Sequence, residues 1–310
     1  MFCCPCGKVA QFASQPFHPL SAAMSLKAPS VVLGQSLKDL LKRADQEVST
    51  RDLDVMELFA GVGSIVAAAQ AAGLSAAGSD KDPGEDHVGV ADICTPYGFE
   101  RTVMQLARIK EDGLFVAAPE CSSFTFPNTH GHQRRASNNY EGDTSKVYVQ
   151  EGSMIARVTA MLSEMALARS VQVVLENPPS SVIWRFEPVK RVLEEHNFVH
   201  HALCSHCAFD TDRALGERFK KQFKFVSASP WILQLSRRCQ CGEGVGHVDL
   251  MPTFIQADTG KAKSVGQTRC TGNKQALKES QKYTPESWLR TFVSAGLRSP
   301  ILASFSKPTT

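Results

Sequence analysis

The stretch Glu57–Ser64, with the sequence ELFAGVGS, decides the fold of this chain. The apolar run at residues 53–58 leads into it and predicts a buried strand. Gly61 and Gly63 then allow a sharp turn, and the alanine-rich residues 64–72 predict a helix that ends at a glycine. A strand that turns through glycines directly into a helix is typical of the opening unit of an α/β fold.

The same alternation of short apolar runs and helical stretches continues to about residue 200. Strands that alternate with helices favour a sheet covered on both faces, so we predict an α/β, doubly wound, mostly parallel sheet of the Rossmann-like type. The fifth apolar run is rich in β-branched residues, which indicates burial on both faces. Further strands are predicted at residues 74–79, 87–93, 114–118 and 171–175, and helices at 99–110 and 154–169.

The bulk composition is that of one large globular domain, or of one domain with a small appendage. The chain has 310 residues, of which 43% are apolar and 21% charged, and its net charge is +3. This small charge does not by itself predict a nucleic-acid-binding protein, although a local basic surface still could bind one. No apolar run reaches the roughly 18 residues that suggest a membrane span. We expect a monomer without a membrane partner.

Cysteine usage and the amino-terminal segment bear on the location of the protein. The ten cysteines lie in close pairs or alone and form no small disulfide framework, which favours a reducing, intracellular compartment, the nucleus or cytoplasm. The first 38 residues contain no acidic side chain, and Asp39 is the first. An organellar leader has this composition but is also rich in arginine, which the segment lacks, so a disordered tail is the alternative.

The glycine turn has the features of a site for a nucleoside cofactor. Its backbone can pass close to a ligand, and the following helix offers N–H groups at its start. The dinucleotide fingerprint needs a third glycine where Val66 stands, so a nicotinamide or flavin cofactor is disfavoured. Asp80 ends the second predicted strand, where it could accept both ribose hydroxyls, and Asp92 ends the third, where it could meet an adenine amino group. The alternative is a tight turn with two solvated acids.

Cys121, in the motif APECSS, directly follows the fourth predicted strand and precedes a long polar loop. Open α/β sheets bind ligands at this edge, and such a loop could close over a substrate. A reactive thiolate needs positive charge or hydrogen-bond donors nearby, whereas Glu120 beside it would act in the opposite direction. Candidates for this positive charge are His132, Arg134 and Arg135. The alternative is a cysteine that only packs in the core.

Glu176, in the motif LENPPSS, ends the fifth predicted strand at the same edge. Its carboxyl group can hydrogen-bond the polar edge of a ring and, when protonated, can make that ring more electrophilic. The two prolines that follow stiffen the turn. A turn-forming Glu-Asn-Pro without chemistry is the alternative.

Together the three motifs resemble those of the cytosine-5 DNA methyltransferases, in a short form like that of phage and protist enzymes. Phe-x-Gly-x-Gly, Pro-x-Cys and Glu-Asn-Pro occur here at residues 59–63, 119–121 and 176–178. The likeness covers residues 53–190 well and extends loosely through 200–250. It implies a Rossmann-like fold, S-adenosylmethionine (SAM) as cofactor, and methylation of carbon 5 of cytosine in DNA.

The resemblance also implies a role for each residue of the motifs. Cys121 as a thiolate would attack carbon 6 of cytosine, and Glu176 would hold ring N3 and the exocyclic amine of a base that has left the duplex. The chain departs from the family at Glu120, which separates the usually adjacent proline and cysteine, and it has no clear Gln-x-Arg-x-Arg element. Five residues would hold SAM, namely Phe59, Gly61, Gly63, Asp80 and Asp92. Three neighbours of the reactive pair would contact the substrate, namely Ser122, Ser123 and Asn177.

Two other functions stay open. The run Asn177-Pro178-Pro179-Ser180 is also similar to the Asn-Pro-Pro-aromatic motif of amino-group methyltransferases, which modify adenine N6 or cytosine N4. That family places the motif after its fourth strand, whereas here it follows the fifth predicted strand, and its last residue is not aromatic. The other function is that of a catalytically inactive module that binds SAM or nucleic acid. As the partner, DNA is favoured over RNA because the resemblance implies it, and RNA stays open as a substrate, because nothing in the sequence reads a 2′-hydroxyl.

A region of cysteine, histidine and basic residues follows residue 200. It holds enough ligands for a tetrahedral zinc site, and the alternative is that its thiols pack in a small domain. The candidate ligands are Cys204, Cys207, Cys239, Cys241 and His247. Its basic and aromatic side chains fit a surface that follows phosphates and stacks bases, or a solvated face over core aromatics. They are Arg213, Arg218, Lys220, Lys221, Lys224, Arg237 and Arg238, with Phe219, Phe223, Phe225 and Trp231.

These patterns divide the chain into four parts. Residues 1–50 are predicted as a tail with one short helix at 36–46, and residues 51–200 as the SAM-binding catalytic domain. Residues 201–282 are predicted as a small target-contacting region. Residues 283–310 are predicted as a closing helix and tail, because a threonine and a proline at positions 284 and 285 are typical of a helix start.

Overall fold

The computed structural model of the chain describes most of residues 50–242 and a helix near the carboxyl end. In the short helix expected at residues 36–46, the described residues are helical, whereas the expected tail and the alternative of a leader lie outside the described residues. The described residues are 39, 42–44, 46–48, 50–83, 88–125, 129–208, 218–219, 221–242, 247, 253–255, 269–271, 285–299 and 302.

Seven strands form the main sheet. They are β1 (Leu53–Leu58), β2 (Ala76–Asp80), β3 (Val88–Val90), β4 (Ile109–Ala117), β5 (Gln172–Asn177), β6 (His200–Ser205) and β7 (Gln222–Ser227). Their order across the sheet is β3-β2-β1-β4-β5-β7-β6. The strands from β3 to β5 are parallel to one another, and β7 runs antiparallel to both of its neighbours. Because the order reverses direction between β1 and β4, the sheet is doubly wound and Rossmann-like, which confirms the predicted fold class.

Helices cover both faces of this sheet. They are α1 (Ser64–Ala71), α2 (Pro96–Ala107), α3 (Thr129–His132), α4 (Val147–Ala168), α5 (Glu187–Glu195) and α6 (Pro285–Ser294). Successive side chains of a strand point to opposite faces, so Val55 of β1 packs with α1 and α6, whereas Met56 packs with α2, α4 and α5. Short 3-10 helices occur at Ala136–Asn138, Val182–Arg185, His206–Ala208 and Pro230–Leu235. Strands β8 (Thr253–Ile255) and β9 (Arg269–Thr271) form a separate antiparallel pair.

The main sheet continues past the boundary expected at residue 200. Strands β6 and β7 lie in the part of the sequence that was expected to form a separate small region, yet they pair with β5. In β7, Phe223 and Phe225 are buried while Lys224 is only partly buried. Polar and charged residues alternate with the buried ones in such a strand. They make it difficult to predict from the sequence, because they interrupt the continuous apolar run that is typical of buried parallel strands. The closing helix packs on the same sheet, with Trp288 and Phe292 fully buried.

Helix α4 begins at Val147, seven residues before its predicted start. In its first two turns the buried residues are Val149, Gly152 and Ser153, so a repeated apolar periodicity is absent there. A Cβ added at Gly152 would collide with the hydroxyl of Ser123, which shows how closely α4 approaches the loop after β4. Among the described residues, no helix combines the length and the apolar character that a membrane crossing requires.

Candidate active site

The glycine turn between β1 and α1 faces open space. Gly61 and Gly63 have φ angles of 55° and 66°, which strain any residue with a Cβ. A Cβ added at Gly61 would meet no atom within 4 Å, so a ligand can approach the backbone there. Phe59, at the start of the turn, is partly buried and also has a positive φ of 63°. The local chain geometry therefore fits the predicted cofactor loop.

Glu57 binds backbone N–H groups at the start of α1. Its carboxyl group accepts the backbone N–H groups of Ile65 and Val66 at 3.1 and 3.0 Å. These two N–H groups are therefore already hydrogen-bonded within the protein, whereas the sequence predicts that the start of this helix offers its N–H groups to a ligand. Burial raises the pKa of Glu57 to about 8, although the two hydrogen bonds act to lower it. An acid near the end of an apolar strand is the sequence signal for this role, because a buried carboxyl group requires hydrogen-bond partners.

Asp80 fastens the glycine turn to the end of β2. Its Oδ2 accepts the N–H of Gly61 at 2.8 Å, and its Oδ1 accepts the N–H of Asp82 at 2.8 Å. A carboxylate has about four acceptor positions, so this group still has the capacity to accept ribose hydroxyls.

Asp92 lies just beyond β3, at the same edge of the sheet. Its Oδ1 accepts the N–H of Cys94 at 3.0 Å. Gly98 in α2 allows the helix to approach this segment, because a Cβ there would collide with the backbone carbonyl of Asp92. The glycine turn and both predicted cofactor acids therefore follow three neighbouring strands at one edge.

Cys121 and Glu176 follow adjacent parallel strands. Ala117 at the end of β4 pairs with Leu175 of β5, so the cysteine, four residues beyond β4, lies at the edge where Glu176 ends β5. The Glu176 residue is 8% exposed, so a substrate that reaches it must enter the protein surface. The order of strands also places the Asn-Pro-Pro run after the fifth strand, as predicted.

Two hydrogen bonds join the cysteine loop to the segment after β5. Asn177 Nδ2 donates to the Pro119 carbonyl at 2.8 Å, and the Val182 N–H donates to the Phe124 carbonyl at 2.9 Å. They lie on either side of Cys121 in the sequence and so hold its loop against β5. Asn177 is only 1% exposed. The amide nitrogen of Asn177 therefore positions the loop, while its buried Oδ1 has no hydrogen-bond partner among the described residues.

Lys221 joins this pair of residues from the far side of β5. It immediately precedes β7, and because β7 is antiparallel to β5, the start of β7 lies beside the end of β5, with Asn177 opposite Lys224. The charges of Glu176 and Cys121 both raise the pKa of Lys221, but burial has the larger effect and lowers it overall. The sequence predicts Lys221 only as one member of a basic stretch. Its role follows from the antiparallel pairing, which the sequence pattern does not show.

The surroundings of Cys121 hold its thiol in the protonated form. Burial raises the pKa of Cys121 to about 11, Lys221 lowers it, and the carboxylates of Glu176 and Glu120 raise it. The opposing effect of Glu120 confirms the expectation from the sequence. A substrate that binds the protonated form of Glu176 removes one of the two opposing charges and so favours the thiolate.

Arg134 organises the loop after β4 and does not act on Cys121. Its guanidinium group lies 3.8 Å from the centre of the Phe124 ring, and the residue is 2% exposed. Lys221 is the side chain that lowers the pKa of Cys121, whereas His132, Arg134 and Arg135, the candidates from the sequence, are not among the groups that act on it. The acceptors of Arg134 are the carbonyls of Ser123, Tyr140, Glu141 and Val149 and the hydroxyls of Ser123 and Ser153.

The two serines after the cysteine differ in their surroundings. Ser123 is 1% exposed, and its Oγ accepts a hydrogen bond from Arg134 at 3.1 Å, so it belongs to the core of the loop. Ser122 is exposed beside Cys121. Of the two serines predicted to contact the substrate, only Ser122 is therefore accessible to one.

The aromatic residues of the basic stretch belong mainly to the core. Phe219, Phe223 and Phe225 are each at most 4% exposed, and Phe225 packs edge-to-face against Trp288. Their ring faces are therefore not accessible for base stacking. Of the two alternatives given by the sequence, these phenylalanines are core aromatics. Trp231 is partly buried and donates to a glutamine of β5. Arg213 and Lys220 of this stretch lie outside the described residues.

Four of the five predicted metal ligands converge after β6. The ligand atoms of Cys207, Cys239, Cys241 and His247 all lie within 4.8 Å of one another. Cys204 does not belong to this cluster. Its side chain points from β6 into the core, where the thiol donates to the Leu235 carbonyl.

Two of the solved structures that are similar to this chain are methyltransferases. No protein-family model matches the chain, and no curated protein matches it. The methyltransferase EhMeth of Entamoeba histolytica is 12% identical with a TM-score of 0.36, and the match covers 64% of this chain and 58% of that protein. The Dnmt2 methyltransferase of S. pombe is 14% identical with a TM-score of 0.37, and the match covers 83% of this chain and 90% of that one. These similarities are too low to carry an activity from either protein to this chain.

Proposed function

We propose that this protein is a SAM-dependent methyltransferase that methylates carbon 5 of cytosine in DNA. The observation that carries the proposal is the convergence of Cys121, Glu176 and Lys221 at the carboxyl edge of the sheet that also holds the glycine turn. A thiol, a carboxyl group and a cation at this edge supply a nucleophile, an acid and a stabilising charge. The resemblance of the three motifs to the cytosine-5 DNA methyltransferases identifies the ring on which they would act.

The residues around the glycine turn fit a nucleoside cofactor. The open space at Gly61 leaves room for the ligand, and Asp80 keeps acceptor capacity for its ribose hydroxyls. Asp92, beyond the next strand, would accept a hydrogen bond from the adenine amine. When bound, SAM supplies an electrophilic methyl group.

The reaction at the base would begin with Cys121. After loss of its proton, Cys121 Sγ attacks as a thiolate and forms a bond to carbon 6, and the electron pair of the carbon 5–carbon 6 double bond becomes available at carbon 5. Glu176 in its protonated form donates a hydrogen bond to ring N3 and stabilises the charge that moves into the ring. Carbon 5 takes the methyl group and then loses its proton to a proton acceptor. The bond from carbon 6 to Sγ breaks, which restores the carbon 5–carbon 6 double bond and the thiolate.

Lys221 would favour the first step, because its charge lowers the pKa of the Cys121 thiol. Because Glu176 is 8% exposed, the base has to leave a duplex or be single-stranded already. The observations do not favour the amino-group alternative. Asn177, which would hold the target amine, is 1% exposed and donates its amide to the Pro119 carbonyl.

The test is methyl transfer from labelled SAM to DNA and, in parallel, to RNA, followed by identification of the labelled nucleoside. We expect label in 5-methylcytosine of DNA, a loss of at least about 1,000-fold in Cys121→Ser, and activity near wild type in the control Glu111→Gln, which changes an exposed residue near the start of β4. A DNA strand with 5-fluorocytosine should remain bound to the protein in denaturing gels, because fluorine cannot leave carbon 5 as the proton does.

Three results would contradict the proposal in different ways. Label in an N-methylated base that survives Cys121→Ser would move the chemistry to the Asn-Pro-Pro run. Label only in RNA would keep the mechanism and change the polymer. SAM binding without transfer to either polymer would favour the inactive binding module.

A further inference from the structure

We propose that Cys207, Cys239, Cys241 and His247 form a structural zinc site at the same edge of the sheet as Cys121 and Glu176. The four ligand atoms lie within 4.8 Å of one another, and Cys239 Sγ is 3.4 Å from His247 Nε2. Tetrahedral zinc, with bonds of about 2.3 Å to sulfur and about 2.0 Å to nitrogen, holds its ligand atoms about 3.5 to 3.8 Å apart. The cluster therefore needs only a small contraction to bind the ion.

The backbone brings these distant cysteines together. The Ser205 N–H donates to the Arg237 carbonyl at 2.8 Å, and the Arg237 N–H donates to the Leu203 carbonyl at 3.1 Å. This is a parallel bridge, so the chain leaves it in the same direction on both sides. Two residues beyond Ser205 and Arg237 come Cys207 and Cys239, which explains why their thiols meet.

The kinds of ligand select the metal. Three thiols and one imidazole suit zinc and other soft or borderline ions, whereas calcium and magnesium require oxygen ligands. Four protein ligands complete a tetrahedron and leave no open position, which is typical of a structural ion and not of a catalytic one. A disulfide between two of the cysteines would leave the third thiol and His247 without a shared role.

The proposed zinc site is connected to Lys221 through the residue that precedes Cys207. Cys207 follows His206, whose backbone N–H donates to the Lys221 carbonyl at 2.8 Å, and whose ring packs edge-to-face on Phe219. An ion held by Cys207 would therefore fix the turn that places Lys221 beside Glu176. This positioning role rests on the proposed function, whereas the binding of zinc does not.

The test measures the metal directly in the full chain, purified under reducing conditions without a chelator. We expect about one zinc per chain by mass spectrometry, and in the cobalt-substituted protein the visible absorption of tetrahedral cobalt with thiolate charge-transfer bands. Cys239→Ser combined with Cys241→Ser should remove the metal. Cys204→Ser and Cys94→Ser are matched controls that should keep it, because these thiols lie outside the cluster.

Wild-type protein that is folded by circular dichroism but binds neither zinc nor added cobalt would overturn the site. So would a disulfide among the three cysteines in protein kept anaerobic, or loss of zinc from Cys204→Ser with retention in Cys207→Ser. Because the cobalt spectrum is measured on wild-type protein, an unfolded double variant does not obscure the answer. Zinc without methyl transfer to either polymer would leave this site standing while the proposed function fails, and methyl transfer by a zinc-free chain would do the reverse.

Discussion

The glycine-turn half of the molecule, residues 53–125, and the hairpin half, residues 200–247, build their sites in different ways. In the first, the reactive or binding residue lies within a few residues of a strand end, as Cys121 does beyond β4. Hydrogen bonds such as that from Gly61 to Asp80 join the ends of neighbouring strands. In the second, Cys207 and Cys239 are 32 positions apart and meet only because a backbone bridge aligns their segments. A short contiguous motif can therefore reveal one kind of site, whereas the other depends on the register of distant segments.

The largest expected effect concerns the glycine-turn half, where a buried carboxyl group should make the unfolding free energy depend on pH. The pKa of Glu57 is raised to about 8 in the folded protein, so its contribution to stability is fully present below about pH 4.5 and is lost as the pH rises toward 8. In Glu57→Gln this loss is absent. Between pH 5 and pH 7.5 the wild type should therefore lose about 3 kcal/mol of unfolding free energy relative to the variant.

Urea unfolding at a series of pH values measures this difference. Glu111→Gln is the matched control, because Glu111 is exposed on β4 and should follow the wild type. A Glu57→Gln variant that keeps the pH dependence of the wild type would show that burial does not raise the pKa of the Glu57 carboxyl group.

The next effect tests whether the hairpin half serves the reaction in the other half. Lys221→Ala should lower kcat by about 100-fold, since it removes the only side chain found to lower the pKa of the Cys121 thiol among the described residues. The acid limb of the pH–rate profile and the rate of thiol alkylation should both move to higher pH. Lys221→Arg should restore part of the rate.

Lys224→Ala is the control for this prediction. Lys224 lies three residues along the same segment, with its Nζ 4.9 Å from the Trp184 ring centre, and kcat should change by less than about threefold. Equal losses in both variants, without a shift in the pH profile, would mean that Lys221 is structural only.

A smaller effect is expected at Asp80. Asp80→Asn keeps the size of the side chain but weakens its acceptance of ribose hydroxyls, so the Kd for SAM should rise about tenfold. Calorimetry measures this change, with the neighbouring exposed residue in Asp82→Asn as the control. An unchanged Kd in Asp80→Asn would show that the carboxylate only fastens the glycine turn.

The smallest expected effect concerns chelation and follows from the proposed zinc site. Removal of the ion should raise hydrogen exchange in β6 and β7 by several-fold and leave β1 and α1 unchanged, because all four ligands lie in the hairpin half. Equal changes in both halves would indicate that the chelator destabilises the whole fold. No change in either half would contradict a structural role for the ion.

Particular elements show how far the sequence could be interpreted. The strand at residues 53–58, the glycine turn and the helix after it are confirmed within one residue, because the apolar run and the glycines act locally. The sequence predicts the start of α4 too late, because its first two turns bury only one apolar residue, Val149, beside Gly152 and Ser153. The β6–β7 hairpin was not predicted, since its alternate face is polar and its pairing partner, β5, lies about fifty positions earlier in the chain.

The sequence by itself determined the strand ends at which Gly61, Asp80, Cys121 and Glu176 lie, because parallel strands carry their loops to a common edge. Only the tertiary structure decided which charges act on the cysteine. Lys221 reaches it because β7 is antiparallel to β5, while Arg134 is held by the core of its own loop. The same is true of the metal ligands, where the bridge between Cys204 and Arg237 aligns the segments that carry Cys207 and Cys239, while the Cys204 side chain packs in the core. Both contacts join segments that are distant in the sequence, so no local pattern of residues reveals them.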